Sequence, residues 1–205
     1  MFQLCQGTIT TAPDAVLRAM FAARKRVFVD LLDWDLPVID GRYERDQFDD
    51  EHAVYLILTD TAGGHLASAR LLPTTRPHLL QLFPQLCADA APEAADTLEI
   101  SRFCLDRSLS ARDRRAVRNR LVSALVDHAL GHGVAAYVAI AEMGWFQQIL
   151  AFGWHCAPLG VPQEIDGSMI AALRIAIDDT TPSLLAAAGI IAGPETTGTD
   201  QRAAA

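Results

Sequence analysis

Three apolar runs between Ala53 and Leu105, AVYLILT, HLASARLL and TLEISRFCL, succeed one another without a long crossover between most of them. Runs of this length, rich in branched side chains and bounded by turn residues, read as strands, and DTAGG between the first two is a hairpin signal. Beyond Leu105 the pattern changes. Arg112 to Leu130 has helical spacing with Val117, Leu121, Leu125 and Val126 facing inward. AAYVAIA reads as a buried strand, MGWFQQILAFG as a short helix closed by Gly153, and SMIAALRIAI as a last strand. Ahead of the three runs, Phe2 to Ile9 suits an opening strand and Ala12 to Leu32 a helix, with Val16, Ala19, Met20, Ala23 and Val27 on its apolar face. The order β, α, β, β, β, α, β, α, β predicts an α/β fold, a three-layer sandwich in which helices flank both faces of a mixed, twisted sheet.

The remaining segments are connections. DWDLPVIDGRYERDQFDD reads as one long acidic loop, PTTRPHLLQLFPQL as a turn with a short helix, and ADAAPEAAD as a flexible connector. The chain has 205 residues, which suits one domain over residues 1–190 and a flexible tail over 191–205, although SLLAAAGII could dock as a helix.

With 51% hydrophobic and 20% charged residues a sizeable core is expected. A net charge of -8 argues against a nucleic-acid partner, which would need a basic face. No apolar run has the length of a membrane span and the first residues lack a secretory signal, so the expectation is a soluble, cytoplasmic protein with no membrane partner. Cys5, Cys87, Cys104 and Cys156 are scattered and read as reduced, partly buried thiols. His128 and His132 have helical spacing for a shared metal but lack a flanking acid. They read as solvated or capping residues, and no metal site is expected.

Five features stand apart. Arg24 and Phe28 share a helical face, with Trp34 just beyond. Asp46 and Asp49 lie in the acidic loop, Arg70 ends a strand, and Phe83 sits in LFP. Glu99, Ser101, Arg102 and Phe103 occupy LEISRF. Strand alternation puts Glu99 and Ser101 on one face and Arg102 on the other, unless a bulge intervenes. Singly, each has an ordinary structural explanation: the phenylalanines as core, the loop acids as turn formers, Arg24 as a solvated helix residue. A strand arginine such as Arg70 is the least ordinary, because Arg and Glu are seldom buried unpaired.

Taken in order, these motifs from about residue 20 to 105 resemble those of the acyl-homoserine-lactone synthases, the LuxI-type autoinducer synthases, and a weaker likeness continues to about residue 178. The resemblance implies a GNAT-like sheet with a V-shaped split between two central strands. It implies two substrates and no separate cofactor: S-adenosylmethionine, and an acyl thioester carried on coenzyme A or on acyl carrier protein. The products would be an acyl-homoserine lactone, methylthioadenosine and the free carrier. Arg24, Asp46, Asp49, Arg70, Glu99 and Arg102 would form an ionic network around a cationic substrate, with Glu99 as general base through a water. Phe28, Trp34, Phe83, Ser101 and Phe103 would contact substrate. Ala139, Ala141, Met143, Trp145, Phe146, Ile149 and Leu150 would line the acyl tunnel.

The loop before the long helix, LDRSLSARDRRAVRNR, lacks the glycine of an ordinary acetyltransferase, while its arginines 107, 112, 114, 115, 118 and 120 could meet phosphates. No Lys or Arg lies between Met143 and Pro158, where carrier-protein users in the family tend to be basic, and PLGVPQEIDG resembles the acyl-CoA branch. The expectation is therefore acyl-CoA. Relatives that make 3-oxo products often carry a hydroxyl on the strand that here reads YVAIAE; Ala139 and Ala141 supply none, so the resemblance implies no preference for a 3-oxo group. The alternatives are an acyl-CoA-dependent N-acyltransferase on another amine and a non-catalytic ligand-binding relative.

Overall fold

A computed structural model of the chain describes residues 3–191, so the tail expected over 191–205 lies outside the described residues except for its first residue. Ten strands and four helices follow in the order β1 (Gln3–Gly7), α1 (Asp14–Arg24), β2 (Val38–Ile39), β3 (Tyr43–Glu44), β4 (Val54–Thr59), β5 (His65–Pro73), β6 (Thr97–Leu105), α2 (Ala111–His132), β7 (Ala136–Glu142), α3 (Met143–Leu150), β8 (His155–Pro158), β9 (Gln163–Ile165), β10 (Ser168–Ala176) and α4 (Thr181–Ala187). The main sheet runs β1-β4-β5-β6-β7-β10-β8, with β9 also on β10. The β4–β5 hairpin forms as expected, and β5 pairs antiparallel with β6. β6 and β7 are parallel because α2 makes the crossover between them.

Two irregularities in this sheet position the site. β6 pairs with β7 only from Thr97↔Ala136 to Ile100↔Ala139, although β6 continues to Leu105 and β7 to Glu142. Beyond Ile100 the two strands part, which is the split that the resemblance implies. The second lies on the other edge of β6. Ser68 opposes Cys104 and Arg70 opposes Ser101, so Ala69 alone faces both Arg102 and Phe103. That is a β-bulge, and it holds Arg102 at φ +51°, a left-handed conformation unusual for a residue with a side chain.

The sheet is covered on both faces. Val117, Leu121, Leu125 and Val126 of α2 are buried as expected, packed with Leu56, Leu58 and Leu71 of the hairpin, and with Ile149 of α3. α2 runs the full distance to His132, where Gly133 caps it at φ +68°. On the other face Leu17, Met20 and Phe21 of α1 pack on Tyr55, Ile57 and Leu72. α1 does not end cleanly. Asp30 N–H reaches Lys25 O and Leu32 N–H reaches Val27 O, both at 3.0 Å, a widened π-helical turn of a kind often found at functional sites.

Several expectations need correction. The acidic stretch is not one open loop: β2 and β3 form a small hairpin in it, turned by Asp40 and Gly41, both at positive φ. β8 and β9 are strands on the outer edge of β10 that the prolines around them concealed. The docked helix over SLLAAAGII is present as α4, with Leu185 and Ile190 buried. His128 is not solvated. It is buried, bonded through Nδ1 to the Tyr137 hydroxyl at 3.2 Å, and stacked on His132. The four cysteines are free, with Cys104 buried and the others half-buried, as expected. No helix among the described residues is long and apolar enough to cross a membrane.

Candidate active site

Three arginines from three separate elements converge beside the split. Arg24 ends α1, Arg70 sits in the middle of β5, and Arg102 occupies the β6 bulge. Without the bulge, alternation would send Arg102 away from Ser101. With it, Arg102 swings towards the other two. Three acids meet them. Glu44 is delivered by β3, and Asp46 and Asp49 by the turn that follows. That turn locks itself: Asp46 N–H donates to Asp49 Oδ2 and Phe48 N–H to Asp46 Oδ1, each at 2.9 Å.

The pairing is nearly exhaustive. Arg24 donates Nη1–H and Nη2–H to the two oxygens of Asp49, at 2.8 and 2.9 Å, and Nε–H to Glu44. Arg70 grips both oxygens of Asp46, at 2.6 and 3.2 Å, donates from Nε to Ser101 Oγ at 3.0 Å, and lies 3.0 Å from Asp49. Arg102 bridges Glu44 Oε1 at 3.1 Å and Asp46 Oδ2 at 2.8 Å. Bidentate contacts of this kind are the stronger class of charge-assisted bond. Tyr55, opposite Arg70 in the sheet, adds a hydroxyl donated to Asp49 at 2.9 Å. Burial alone would raise the Asp49 carboxyl, yet the charge and N–H groups of Arg24, with Arg70 beside them, hold it well below the usual range.

This arrangement alters the expected one. The charges do not line an open pocket; Arg24, Glu44, Asp49 and Arg70 are buried, and only Arg102 and Asp46 keep a small exposed edge. Three positive groups answer three negative ones, so the cluster is neutral. Its carboxylate oxygens, the one trio close enough to share a metal ion among the described residues, already face guanidinium N–H groups. Glu44 and Tyr55 were not singled out from sequence. Glu44 stood in the same acidic run, two residues before Asp46. Its signal was its place in a short strand, Tyr43 half-buried and Glu44 fully buried, which a hairpin turned by Asp-Gly would have suggested.

Glu99 is placed differently from the other acids. It lies at the last paired stretch of β6 and is fully buried. It accepts a bond from Leu80 N–H to Oε2 at 3.0 Å, with Leu79 N–H also directed at the carboxylate, and Oε1 makes no close hydrogen bond among the described residues. Burial pushes its carboxyl up to about 7, against the lowering effect of the Leu80 and Leu79 N–H groups and of Arg70 and Arg102. A buried carboxylate with a spare oxygen, titrating near neutrality at a structural opening, has the properties of a general base.

Of the expected contact residues, Phe28 and Trp34 stack with ring centroids 5.1 Å apart, and the Arg102 guanidinium lies 5.6 Å over the Phe28 ring. Trp34 is partly exposed and its backbone N–H donates to Phe28 O. Ser101 belongs to the network through Arg70. Phe83 does not join this group; it packs with Leu80, Leu86 and Val138 in a separate apolar cluster. Phe103 points to the α3 side, where it meets Trp145. Ala139, Ala141, Phe146 and Ile149 are buried and Met143 and Trp145 half-buried in one cluster. Leu150 is exposed and is not part of that surface.

A mixed sheet parted at its parallel pair, with a buried carboxylate beside the opening, is the framework of an N-acyltransferase. The fold as such is shared with a putative N-acetyltransferase from Lactobacillus plantarum, at a TM-score of 0.60 and 15% identity over 86% of this chain and 99% of that one. The chain belongs to the autoinducer synthase family, which residues 9–184 match. It is 35% identical over 191 residues to an acyl-homoserine-lactone synthase of Ralstonia nicotianae, covering 89% of this chain and 93% of the relative. Two solved structures are similarly near. TofI, in a ternary complex with an inhibitor and MTA, has 34% identity and a TM-score of 0.77 over 90% of this chain and 96% of that one. BjaI, a CoA-dependent acyl-homoserine lactone synthase with SAM and isopentyl-CoA, has 32% identity and a TM-score of 0.75 over 85% and 82%.

Proposed function

We propose that this chain is an acyl-homoserine-lactone synthase for quorum sensing that joins S-adenosylmethionine to the acyl group of an acyl-CoA. The observation that carries this reading is Glu99, buried with one oxygen unpartnered at the point where β6 and β7 begin to part. The neutral cluster holds Arg102 and Asp46 at its rim and fixes the bulge. Ionised Glu99 is then the one carboxylate here without an ion-pair partner among the described residues. S-adenosylmethionine has a net charge of +1 from its sulfonium, ammonium and carboxylate, so it matches a neutral cluster plus one free carboxylate. The Phe28–Trp34 stack offers a flat apolar face to the adenine.

In the first step Glu99 takes a proton from the α-amine, directly or through a water. The amine nitrogen forms a bond to the thioester carbonyl carbon. The carbonyl C–S bond then breaks, and the thiolate of coenzyme A leaves and is protonated. Backbone N–H groups freed where β6 leaves β7 are suited to the oxyanion. In the second step a carboxylate oxygen of the same substrate attacks its own γ-carbon. The C–S⁺ bond breaks, and methylthioadenosine departs as a neutral thioether. No proton is needed there, so orientation supplies the rate.

The donor assignment follows from charge. Carrier protein is acidic and would need a complementary surface. α3 offers no Lys or Arg. On α2, Arg112, Arg114 and Arg115 are exposed, but Arg114 already bonds Asp106 O and Arg107 O in its own loop. Purified protein should release methylthioadenosine from S-adenosylmethionine when given acyl-CoA, with acyl carrier protein thioesters of the same acyl group poorer. Acylation of an unrelated amine with no methylthioadenosine would instead establish a plain N-acyltransferase. Tight S-adenosylmethionine binding without turnover on any thioester would establish a binding relative.

A further inference from the structure

Three buried side-chain polar atoms lack a hydrogen-bond partner among the described residues: His65 Nδ1, His78 Nε2 and Glu99 Oε1. His65 stands apart, at the start of β5, with its Nε2 2.9 Å from Ser68 Oγ. The other two belong to one short stretch of structure. Glu99 reaches the first turn of a helical segment, Leu79–Leu82, where Leu80 N–H donates to its Oε2 and Leu79 N–H is directed at the same carboxylate. His78 opens that turn, and its own side chain does not cap it. The carboxylate takes the capping place, so the His78 ring leaves the backbone beside the groups that hold Glu99.

The state of the His78 ring follows from its other nitrogen. Nδ1 lies 2.8 Å from Arg76 O, a carbonyl that can only accept, so Nδ1 carries the proton. In the neutral ring Nε2 is then an acceptor. Ionised Glu99 offers Oε1 as an acceptor too, and both residues are buried. Two acceptors cannot satisfy each other, and leaving both without a donor in the interior is costly. One water supplies what both need, an O–H for each. The segment is anchored at both ends. Thr74 donates its hydroxyl to Thr97 O at 2.9 Å, two residues before Glu99, and Ala88 N–H donates to Leu159 O at 2.8 Å. Between these anchors Leu80 is buried against Val138 and Ala172.

We propose that His78 is a positioning residue that, together with Glu99, holds the water through which the amine proton leaves. This rests on the synthase reading above. One O–H of the water points to Glu99 Oε1 and the other to His78 Nε2, which turns an oxygen lone pair towards the substrate. The amine N–H bond breaks as its proton passes to the water oxygen. In the same step one of the water's own protons passes to Oε1, leaving a water and a protonated Glu99. His78 gains and loses no proton. Without it the water is free to turn its lone pair away, and the loss falls on turnover rather than on substrate binding.

His78→Phe keeps a ring of similar shape and removes the acceptor. It should lower kcat for methylthioadenosine release from S-adenosylmethionine and an acyl-CoA by about 10- to 100-fold, with KM for both substrates unchanged. The rise of kcat/KM with pH should move upward by about half a unit or more, because ionised Glu99 loses an O–H donor while Arg70 and Arg102 still act on it. His78→Gln, which returns an acceptor, should recover most of the loss. A high-resolution crystal structure of the wild-type protein should show a water within about 3.2 Å of both Glu99 Oε1 and His78 Nε2. Finding no such water would overturn the proposal, and this result decides alone if His78→Phe does not fold. Folded His78→Phe with wild-type kcat would overturn it too, as would a loss of kcat that leaves the pH profile in place and that His78→Gln does not recover. In each case release of methylthioadenosine by the wild type leaves the synthase reading intact. No methylthioadenosine from any thioester would overturn that reading, and the role of His78 with it.

Discussion

Glu99→Gln lowers kcat by about 10²- to 10⁴-fold, the range for loss of a general base, while the protein stays folded. The amide keeps an oxygen for Leu80 N–H, so the β6 geometry is preserved. The pH dependence separates this from a structural defect. In the wild type the base is protonated at low pH, and kcat/KM rises as pH passes through about 7, where burial has pushed the carboxyl. The variant has no such limb. Stability moves the opposite way. A carboxyl whose folded pKa is raised above its ordinary 4.5 binds its proton more tightly in the folded state. Its stabilising contribution is complete below about 4.5 and is lost as pH rises through about 7. Glutamine has nothing to ionise, so at pH 8 the variant melts no lower than the wild type. A loss of activity with a melting point several degrees below wild type at pH 8 would assign Glu99 to the fold instead.

Arg24→Ala gives the larger change in stability. It leaves Glu44 and Asp49 buried with one cation fewer. Breaking a buried pair in this way costs about 3–5 kcal/mol, whereas replacing a whole buried group by apolar residues is often neutral. For a chain of this size that is a fall in melting temperature of roughly 6–20 °C. The cause is testable by pH. Asp49 is held below its ordinary 3.8, so its pairing stabilises the fold above about pH 4 and is lost as the pH falls below that. The gap between wild type and Arg24→Ala, measured by calorimetry, should be widest near neutrality and should narrow below pH 4. A gap that does not change with pH would mean that Arg24 acts through packing, for instance through the Phe21 ring 5.1 Å from its guanidinium.

The two effects divide the charged residues by role. The cluster of three arginines and three acids is a scaffold, and its neutrality is what allows so many ionised groups to be buried together. We propose that activity resides at its edge, in Glu99 with its spare oxygen, Arg102 in the bulge, and the Phe28–Trp34 stack. Arg102 at positive φ is the kind of local strain that persists only where the surroundings over-determine it, here through Glu44 and Asp46.

Most of the layer order was legible in the sequence because it rests on local periodicity. The β4–β5 hairpin and the buried stripe of α2 could be read from residues a few positions apart. The ionic residues were legible as a set, and Arg24, Asp46, Asp49, Arg70 and Arg102 do meet. What sequence could not supply was non-local. The face of Arg102 depends on Ala69 opposing two residues of β6, a pairing made across the sheet. The burial of Glu44 depends on Arg24 and Arg102, 20 and 58 residues away. The acids looked like a lining for a cation because their arginine partners could not be matched one to one from spacing. β8 and β9 were hidden by Pro158, Pro162 and Gly160, residues that break strand patterns inside a sheet but are tolerated at its edge.

The account turns on Glu99 holding its proton until near neutral pH while Asp49, held low by Arg24, is ionised. A ¹³C NMR titration of the carboxyl carbons, with Glu99→Gln used to assign the resonance, measures this directly. A Glu99 carboxyl titrating at about 7 is the expected result. A Glu99 carboxyl fully ionised at pH 5, with activity unchanged across pH 6 to 8, would contradict it.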